Sequence, residues 1–314
     1  MPERKEYLDE RVFMNTRVRI KVISDKGTVY TLKKIDKAFD QFRYVVDKFT
    51  RFKDTSELSG LNANSGKPYK VSGELVMLLK IMLEIARKTE GAYDPTVIDL
   101  LEAYGYDSNY DFKKLDNPRL YEEIQAIALK RPSFREIKID EKKTTVKLAK
   151  GQRIDMGSIG KGYAIDLAAE ILEEFGNYIV NAGGDIRCLG RSIDNEPWRV
   201  GLMRTQAPNA KLSDYAVFGY VELEEGSVTG SGGWARRVKF FHHLLNPKTG
   251  LPVNKVSQTY TIGKKATEAD AWSTALFTMG KEGLDLIEKT DDLEGMIVMT
   301  DGSIFKTKGF HYYM

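Results

Sequence analysis

Residues 155–185 read DMGSIGKGYAIDLAAEILEEFGNYIVNAGGD. Gly157, Gly160, Lys161 and Gly162 open the stretch. The pattern predicts a helix that follows Lys161 and ends at Gly176, where glycine is the usual stop. Ile179 to Ala182 then reads as a short strand running into Gly183-Gly184. Glycines let a backbone approach an anion, and the N–H groups of a helix N-terminus bind phosphate. A nucleoside-triphosphate P-loop needs four residues between its glycines and Ser or Thr after the lysine. Here two residues separate Gly157 from Gly160, and Gly162 follows Lys161, so that loop is excluded. An ordinary Gly-rich turn competes with an anion-binding turn of another type. For Asn181-Ala182-Gly183-Gly184-Asp185 taken alone, a tight turn is the better reading.

Working outward, strands and helices come in separated groups. Val18, Ile20 and Val22 alternate over Arg17–Val22, a half-buried strand. Ile35, Phe39, Phe42, Val46 and Phe49 recur at spacings of three and four, an amphipathic helix over 31–52. Ser72 caps a second helix that stops at Gly91, and 118–131 forms a third. Ile137 and Ile139 pair with Val146 and Leu148 in a hairpin over 136–150. Arg199–Met203, Ala216–Leu223 and Arg237–Leu245 read as extended. Thr267–Met279 and Lys281–Lys289 read as helices, and 295–310 as a hairpin about Asp301-Gly302. This pattern fits an α+β fold better than a repeated βαβ array. No Pro-, Ser- or Gly-rich linker divides the chain, so 1–314 is read as one domain with two lobes.

Composition removes several classes. The chain has 314 residues and a net charge of +3, which leaves no electrostatic footprint for nucleic acid. Cys188 is the only cysteine, so an intrachain disulfide and a cysteine-based zinc cluster are both excluded. The longest apolar run, Leu75–Ile85, is broken by Lys80 and Glu84 and is too short to span a bilayer. The start, MPERKEYLDE, has no apolar signal core. The chain therefore reads as soluble, with its compartment open.

Further polar constellations lie along the chain. Thr229-Gly230-Ser231-Gly232 reads as a hydroxyl- and glycine-rich loop able to donate to a phosphate. His242 and His243 are placed on adjacent strand positions and face opposite sides, so they do not jointly hold a metal. An imidazole there can accept a proton near neutral pH. Asp270 and Thr274 lie four apart on one helical face and offer hard oxygen ligands for Mg²⁺. A competing reading makes Thr267 an N-cap and Asp270 its first-turn acid. The polar segment 54–62, with Ser56, Glu57 and Asn62, and the segment Ala92-Tyr93-Asp94-Pro95-Thr96 read as loops.

Taken in order, these segments resemble the FAD:protein FMN transferase (ApbE) family. That family reads S-E-L-S-x-L-N, F/Y-D-P-T, D-x-G-x-I-x-K-G-Y-A, N-x-G-G-D, T-S-G, H-x-x-D-P-x-T-G and A-D-A-x-x-T-A. The matches run from Ser56 to Ala275, and Phe13-Met14-Asn15-Thr16 resembles the family's opening Met-Gly-Thr. The resemblance implies a T-fold-like mixed α/β domain that binds FAD as substrate together with Mg²⁺ in a central cleft between the two lobes. It implies transfer of FMN to a threonine hydroxyl of an acceptor protein, typically a subunit of a membrane redox complex, with release of AMP. A Mg²⁺-dependent FAD pyrophosphatase and a flavin binder without turnover are the alternatives. Relatives usually work at the outer face of the cytoplasmic membrane.

Residue by residue, the resemblance makes Asp270, Thr274 and the Gly160 carbonyl the metal ligands. Lys161 approaches the flavin or its phosphate, and Ser158 lies in the same motif. Gly183, Gly184, Thr229 and Ser231 line the phosphate path, and Asp185 is a further cofactor-binding residue. His243 assists proton transfer, and Glu57, Asn62, Asp94 and Thr96 shape the nucleotide cleft. Three positions depart from the pattern. Asn246 stands where the family has Asp, Asn15 where it has Gly, and Thr-Gly-Ser-Gly where it has Thr-Ser-Gly. The family's acceptor motif, of the type Asp-Gly-x-x-Ser/Thr-Ala-Thr, is absent, so modification is expected in trans.

Overall fold

The computed structural model describes residues 3–205, 215–234 and 236–314. Its first elements are β1 (Lys5–Phe13) and β2 (Thr16–Ser24), joined through Met14 and Asn15. Both turn residues have positive φ, 52° and 56°, as a two-residue hairpin turn demands. Asn tolerates that conformation nearly as well as Gly, so Asn15 keeps the turn. There follow α1 (Thr28–Phe49), α2 (Glu57–Ala63), β3 (Pro68–Lys70) and α3 (Gly73–Lys88). Next come α4 (Ile98–Ala103), α5 (Leu120–Lys130), β4 (Lys138–Asp140) and β5 (Thr145–Lys147). The stretch quoted first becomes α6 (Gly160–Leu172), β6 (Tyr178–Ala182) and the start of β7 (Asp185–Leu189). The remainder is β8 (Trp198–Thr205), β9 (Tyr215–Leu223), β10 (Glu225–Gly232), β11 (Val256–Gly263), α7 (Ala266–Met279), α8 (Gly283–Glu288), β12 (Leu293–Met299) and β13 (Ile304–Lys306).

The fold is α+β. Eight strands form one antiparallel sheet in the order β1-β2-β6-β7-β10-β11-β12-β13. Side chains alternate across it, so each strand feeds two cores. Val18, Ile20, Val22, Tyr178, Val180 and Ile297 point to the face covered by α1, α6 and α7. Ile186, Val228, Tyr260 and Met296 point to the other face, under the β8–β9 hairpin and Phe310. α3 lies against α7 and buries Leu75, Leu78, Leu79 and Met82 completely. Ser72 caps it, its Oγ accepting from Leu75 N at 3.2 Å.

A separate apolar cluster joins α4 and α5 to Phe241 and Leu245. Tyr104 and Phe241 rings lie 4.7 Å apart there. The 136–150 hairpin forms as expected, with Ile139 opposite Val146. Among the described residues no helix is long and apolar enough to cross a membrane.

Four expectations are corrected. Arg237–Leu245 is not a strand: it turns, holding only the isolated bridges Val238↔Phe241 and Leu245↔Pro252. Its apolar residues are drawn into the α4–α5 cluster instead of a sheet. Residues 229–232 are not a loop but the end of β10, paired with β11. The segment 54–62 contains α2, whose cap is Ser56 Oγ accepting from Ser59 N at 3.0 Å. The two histidines are therefore not alternating strand residues.

Candidate active site

The N-terminal turns of α6 and α7 lie side by side, and glycine allows it. A Cβ on Gly162 would sit 2.2 Å from the Ala266 carbonyl oxygen. With no Cβ there, Gly162 N donates to Asp270 Oδ2 at 3.0 Å. Asp270 Oδ1 faces Lys161 Nζ at 3.9 Å. Lys161 also pairs with Asp185, which is 1% exposed and accepts from Gly230 N through Oδ1 at 2.8 Å. One lysine thus stands between two buried carboxylates from different elements.

The α7 N-terminus is capped from outside itself. Asp166 of α6 accepts from Ala266 N at 3.0 Å, Thr267 N at 2.9 Å and Thr267 Oγ1 at 2.5 Å. Arg187 of β7 balances its charge at 2.7 Å. Thr267 is thus not the N-cap, and Asp270 has no capping duty. Buried carboxylates at a helix start are stabilised by the free N–H groups and the helix dipole.

Beside Asp270 lies a cluster of hydroxyls. Ser231 Oγ is 2.7 Å from Ser273 Oγ and 3.3 Å from Thr274 Oγ1. Thr229 is fully buried, its Oγ1 spent on Thr261 Oγ1 at 2.8 Å between sheet and α7. Gly160 opens α6, its N–H donating to Met156 O at 2.8 Å. Among the described residues no group of three or more His, Cys, Asp and Glu gathers as a metal cluster. A cation here would rely on one carboxylate, hydroxyls and backbone carbonyls. Such a hard-oxygen set suits Mg²⁺, and an under-compensated buried carboxylate favours a cation.

His243 lies in the turn 242–250, within electrostatic reach of Lys161. Its ring lies parallel to Tyr106, 6.1 Å apart with 17° between planes. Arg236 bonds the Tyr106 hydroxyl. His243 Nδ1 is buried and has no hydrogen-bond partner among the described residues. Burial and the nearby Arg236, His242 and Lys161 charges push its pKa down to about 3. The imidazole is therefore neutral at pH 7. His242 belongs to the core. Its Nε2 lies 3.1 Å from Val253 O, and its Nδ1 accepts from Leu244 N at 3.3 Å. Burial holds its pKa at about 4. At the other two charged groups, burial pushes the Asp270 carboxyl up and the Lys161 ammonium down, each opposing the other's shift.

The remaining residues expected at the site are held by bonds of their own. Asn62 Nδ2 donates to Ile154 O at 3.0 Å and its Oδ1 accepts from Ile154 N at 2.8 Å, just before the α6 loop. Ser158 Oγ and Tyr93 Oη are 2.8 Å apart. Asp94 Oδ1 accepts from Thr96 N and Oγ1, and Arg131 binds both residues. Glu57 lies further off: its carboxylate accepts from Ser72 N and Oγ at the start of α3. Gly183 and Gly184, with φ of 65° and 102°, make the β6–β7 turn that delivers Asp185. Gly183 packs on Thr16, where a Cβ would lie 2.2 Å from Oγ1. Asn246 Oδ1 accepts from Lys248 N at 2.9 Å and so forms its own turn.

Sequence reading missed Asp166, Arg131, Tyr106 and Arg236. Asp166 sits inside the quoted stretch, but nothing in its spacing points to a helix a hundred residues away. Arg131 carried one available signal, an arginine directly before Pro132 at the end of a helix.

A helix-paired acidic and lysine centre beneath an antiparallel sheet, with a neutral histidine opposite, defines a class of α+β enzyme sites. A model described as the ApbE family matches residues 14–297, and the chain belongs to that family. It is 28% identical over 309 residues to the FAD:protein FMN transferase of Haemophilus influenzae, covering 94% of this chain and 87% of that protein. Against the Escherichia coli K12 FAD:protein FMN transferase it is 29% identical, covering 82% and 71%. The crystal structure of the ApbE protein from Thermotoga maritima superposes with a TM-score of 0.84 at 31% identity, covering 97% of both chains.

Proposed function

We propose that the whole chain is one FMN transferase domain, two-lobed about a cleft, acting on FAD. A threonine Oγ of an acceptor protein forms a bond to the FMN phosphorus. The P–O–P bridge breaks, and AMP leaves with the bridging oxygen. The acceptor is read as a subunit of a membrane redox complex, modified in trans. The observation that carries this reading is Lys161 set between Asp185 and Asp270, with the neutral His243 within electrostatic reach of it.

Phosphoryl chemistry of this kind depends on positioning and charge neutralisation. Lys161 supplies a fixed positive charge toward the pyrophosphate. His243, unprotonated at neutral pH, takes up the hydroxyl proton. An incoming pyrophosphate adds negative charge beside His243 and raises its basicity from the depressed value. Ser231 and the 183–185 turn line the phosphate path, and Ser158 stands at the α6 entry. Thr229 supports that path from within the sheet. Asn62, Asp94 and Thr96 shape the cleft by holding its walls, and Glu57 acts from further off by fixing the start of α3. Asp270, Thr274 and the Gly160 carbonyl would hold Mg²⁺, which when bound neutralises pyrophosphate oxygens as a Lewis acid.

The test is AMP release from FAD with Mg²⁺, with and without a protein bearing the acceptor motif, followed by intact-mass analysis of that protein. A flavin mass on its threonine supports the transferase. AMP without an adduct makes the chain a FAD pyrophosphatase. Bound FAD without AMP makes it a binder.

A further inference from the structure

We propose that Arg131 is a positioning residue that fixes His243 against the Lys161–Asp270 centre; the inference rests on the role given to His243 above. Arg131 follows α5 and its side chain is only 10% exposed. Its guanidinium is shared between two chain segments, 94–96 and the turn that holds Pro247. Nη2 donates to Asp94 Oδ2 at 2.8 Å and to Pro247 O at 3.0 Å. Nη1 donates to Thr96 Oγ1 at 2.7 Å.

The three partners connect the two sides of the site. Pro247 lies in the same turn as His243, four residues on. The Asp94-Pro95-Thr96 segment is held to the other side, because Asp155 N donates to Pro95 O at 2.9 Å. Asp155 opens the loop that leads into Gly160 and Lys161. The path from one side to the other is therefore Lys161 loop, Pro95, Asp94 and Thr96, Arg131, Pro247, His243. The guanidinium is the only link in that path that is a side chain bridging two non-adjacent loops at once.

The geometry suits arginine alone. A planar fork with several donors in fixed directions meets a carboxylate, a hydroxyl and a carbonyl together. Lysine supplies one compact charge and cannot hold all three in plane. The rest of the turn is tied less strongly, by Tyr104 Oη donating to Gly250 O at 2.9 Å. Loss of the fork leaves the turn attached to the α4–α5 cluster but loosened toward Lys161. A displacement of about 1 Å at a catalytic group costs on the order of a hundredfold in rate.

The test is a double-mutant cycle on AMP release from FAD with Mg²⁺, using the full chain. Arg131→Met alone is expected to lower kcat by roughly ten- to a hundredfold, with KM for FAD within about threefold. In a His243→Ala background the same change is expected to cost less than about twofold, because nothing remains to position. Arg131→Lys recovers part of the loss. If Arg131→Met does not fold, Arg131→Lys and Asp94→Asn carry the cycle. Multiplicative losses in the double variant, or an unchanged kcat in Arg131→Met, overturn the proposal. His243→Ala without effect on kcat overturns instead the reading of His243, and Arg131 as its support with it.

Discussion

Gly162 and Asp270 meet through one hydrogen bond that only glycine permits: N to Oδ2, 3.0 Å, with space for no Cβ between α6 and α7. The contact joins the two motifs that carry lysine and carboxylate. Replacing Gly162 by Ala would drive a methyl to 2.2 Å from Ala266 O and 2.9 Å from Asp270 Cβ. Both are backbone or backbone-near atoms, so the helices must separate. We expect Gly162→Ala to cost about 3 kcal/mol of stability and to lower AMP release with it. Chemical denaturation and a rate assay on the same preparation measure both; an unchanged midpoint would contradict the packing described.

Asp270→Asn separates charge from shape. Asn keeps an oxygen for Gly162 N–H but removes a carboxylate whose ionised form is disfavoured by burial. Because its folded pKa is raised, ionised Asp270 costs the metal-free protein stability, a cost that falls as pH falls. The variant should therefore melt no lower than wild type without metal. It should lose Mg²⁺-dependent AMP release by about a hundredfold or more. Saturating Mg²⁺ should raise the melting temperature of wild type by a few degrees and that of the variant not at all.

Two histidines with lowered pKa values predict an acid-side loss of stability. Their folded pKa values, about 4 for His242 and about 3 for His243, lie below the ordinary 6.5. Below pH 6.5 the unfolded chain binds protons that the folded chain does not. Stability is thus complete above about pH 6.5 and declines as pH falls toward the folded values. At pH 5 the loss is about 2 kcal/mol for His242 and less for His243, which is partly exposed. His242→Gln should flatten the difference in unfolding free energy between pH 7 and pH 5; an identical slope would count against the assignment.

Asn246 tests whether the family's Asp at this place works through its charge. Its Oδ1 accepts from Lys248 N and Thr249 N, at 2.9 and 3.4 Å. A carboxylate oxygen does the same. Asn246→Asp should therefore change AMP release by less than about twofold, whereas Asn246→Ala should cost about 1 kcal/mol by losing the turn's side-chain acceptor. A large gain on Asn246→Asp would show a chemical role for the carboxylate.

Much of this molecule was legible in its residues. The apolar spacing of Ile35, Phe39 and Phe42 specified α1, and all three are fully buried. Ser72 capped α3 as expected, whereas α6 ends at Leu172 and Gly176, with φ of 68°, closes the 3₁₀ turn that follows it. Tertiary contacts overrode local pattern at Arg237–Leu245, where Phe241 and Leu245 had a better apolar partner in α4 and α5 than in any strand. The strand at 225–232 was hidden by its own composition. Thr229, Gly230, Ser231 and Gly232 look like loop, yet the glycines admit the Tyr260 ring and the indole of Trp234, each within about 3 Å of where a Cβ would stand.

The sequence by itself determined the family, the α+β class, and the candidacy of Lys161, Asp185, His243, Asp270 and Thr274. These follow from residue types at fixed spacings along the chain, which local order preserves. Only the tertiary structure decided which of these side chains meet. Lys161 and Asp270 are a hundred residues apart, and Arg131, Asp94 and Pro247 span more. Contacts of that separation depend on how the sheet and helices pack, a property of the whole folded chain that no local window of residues contains.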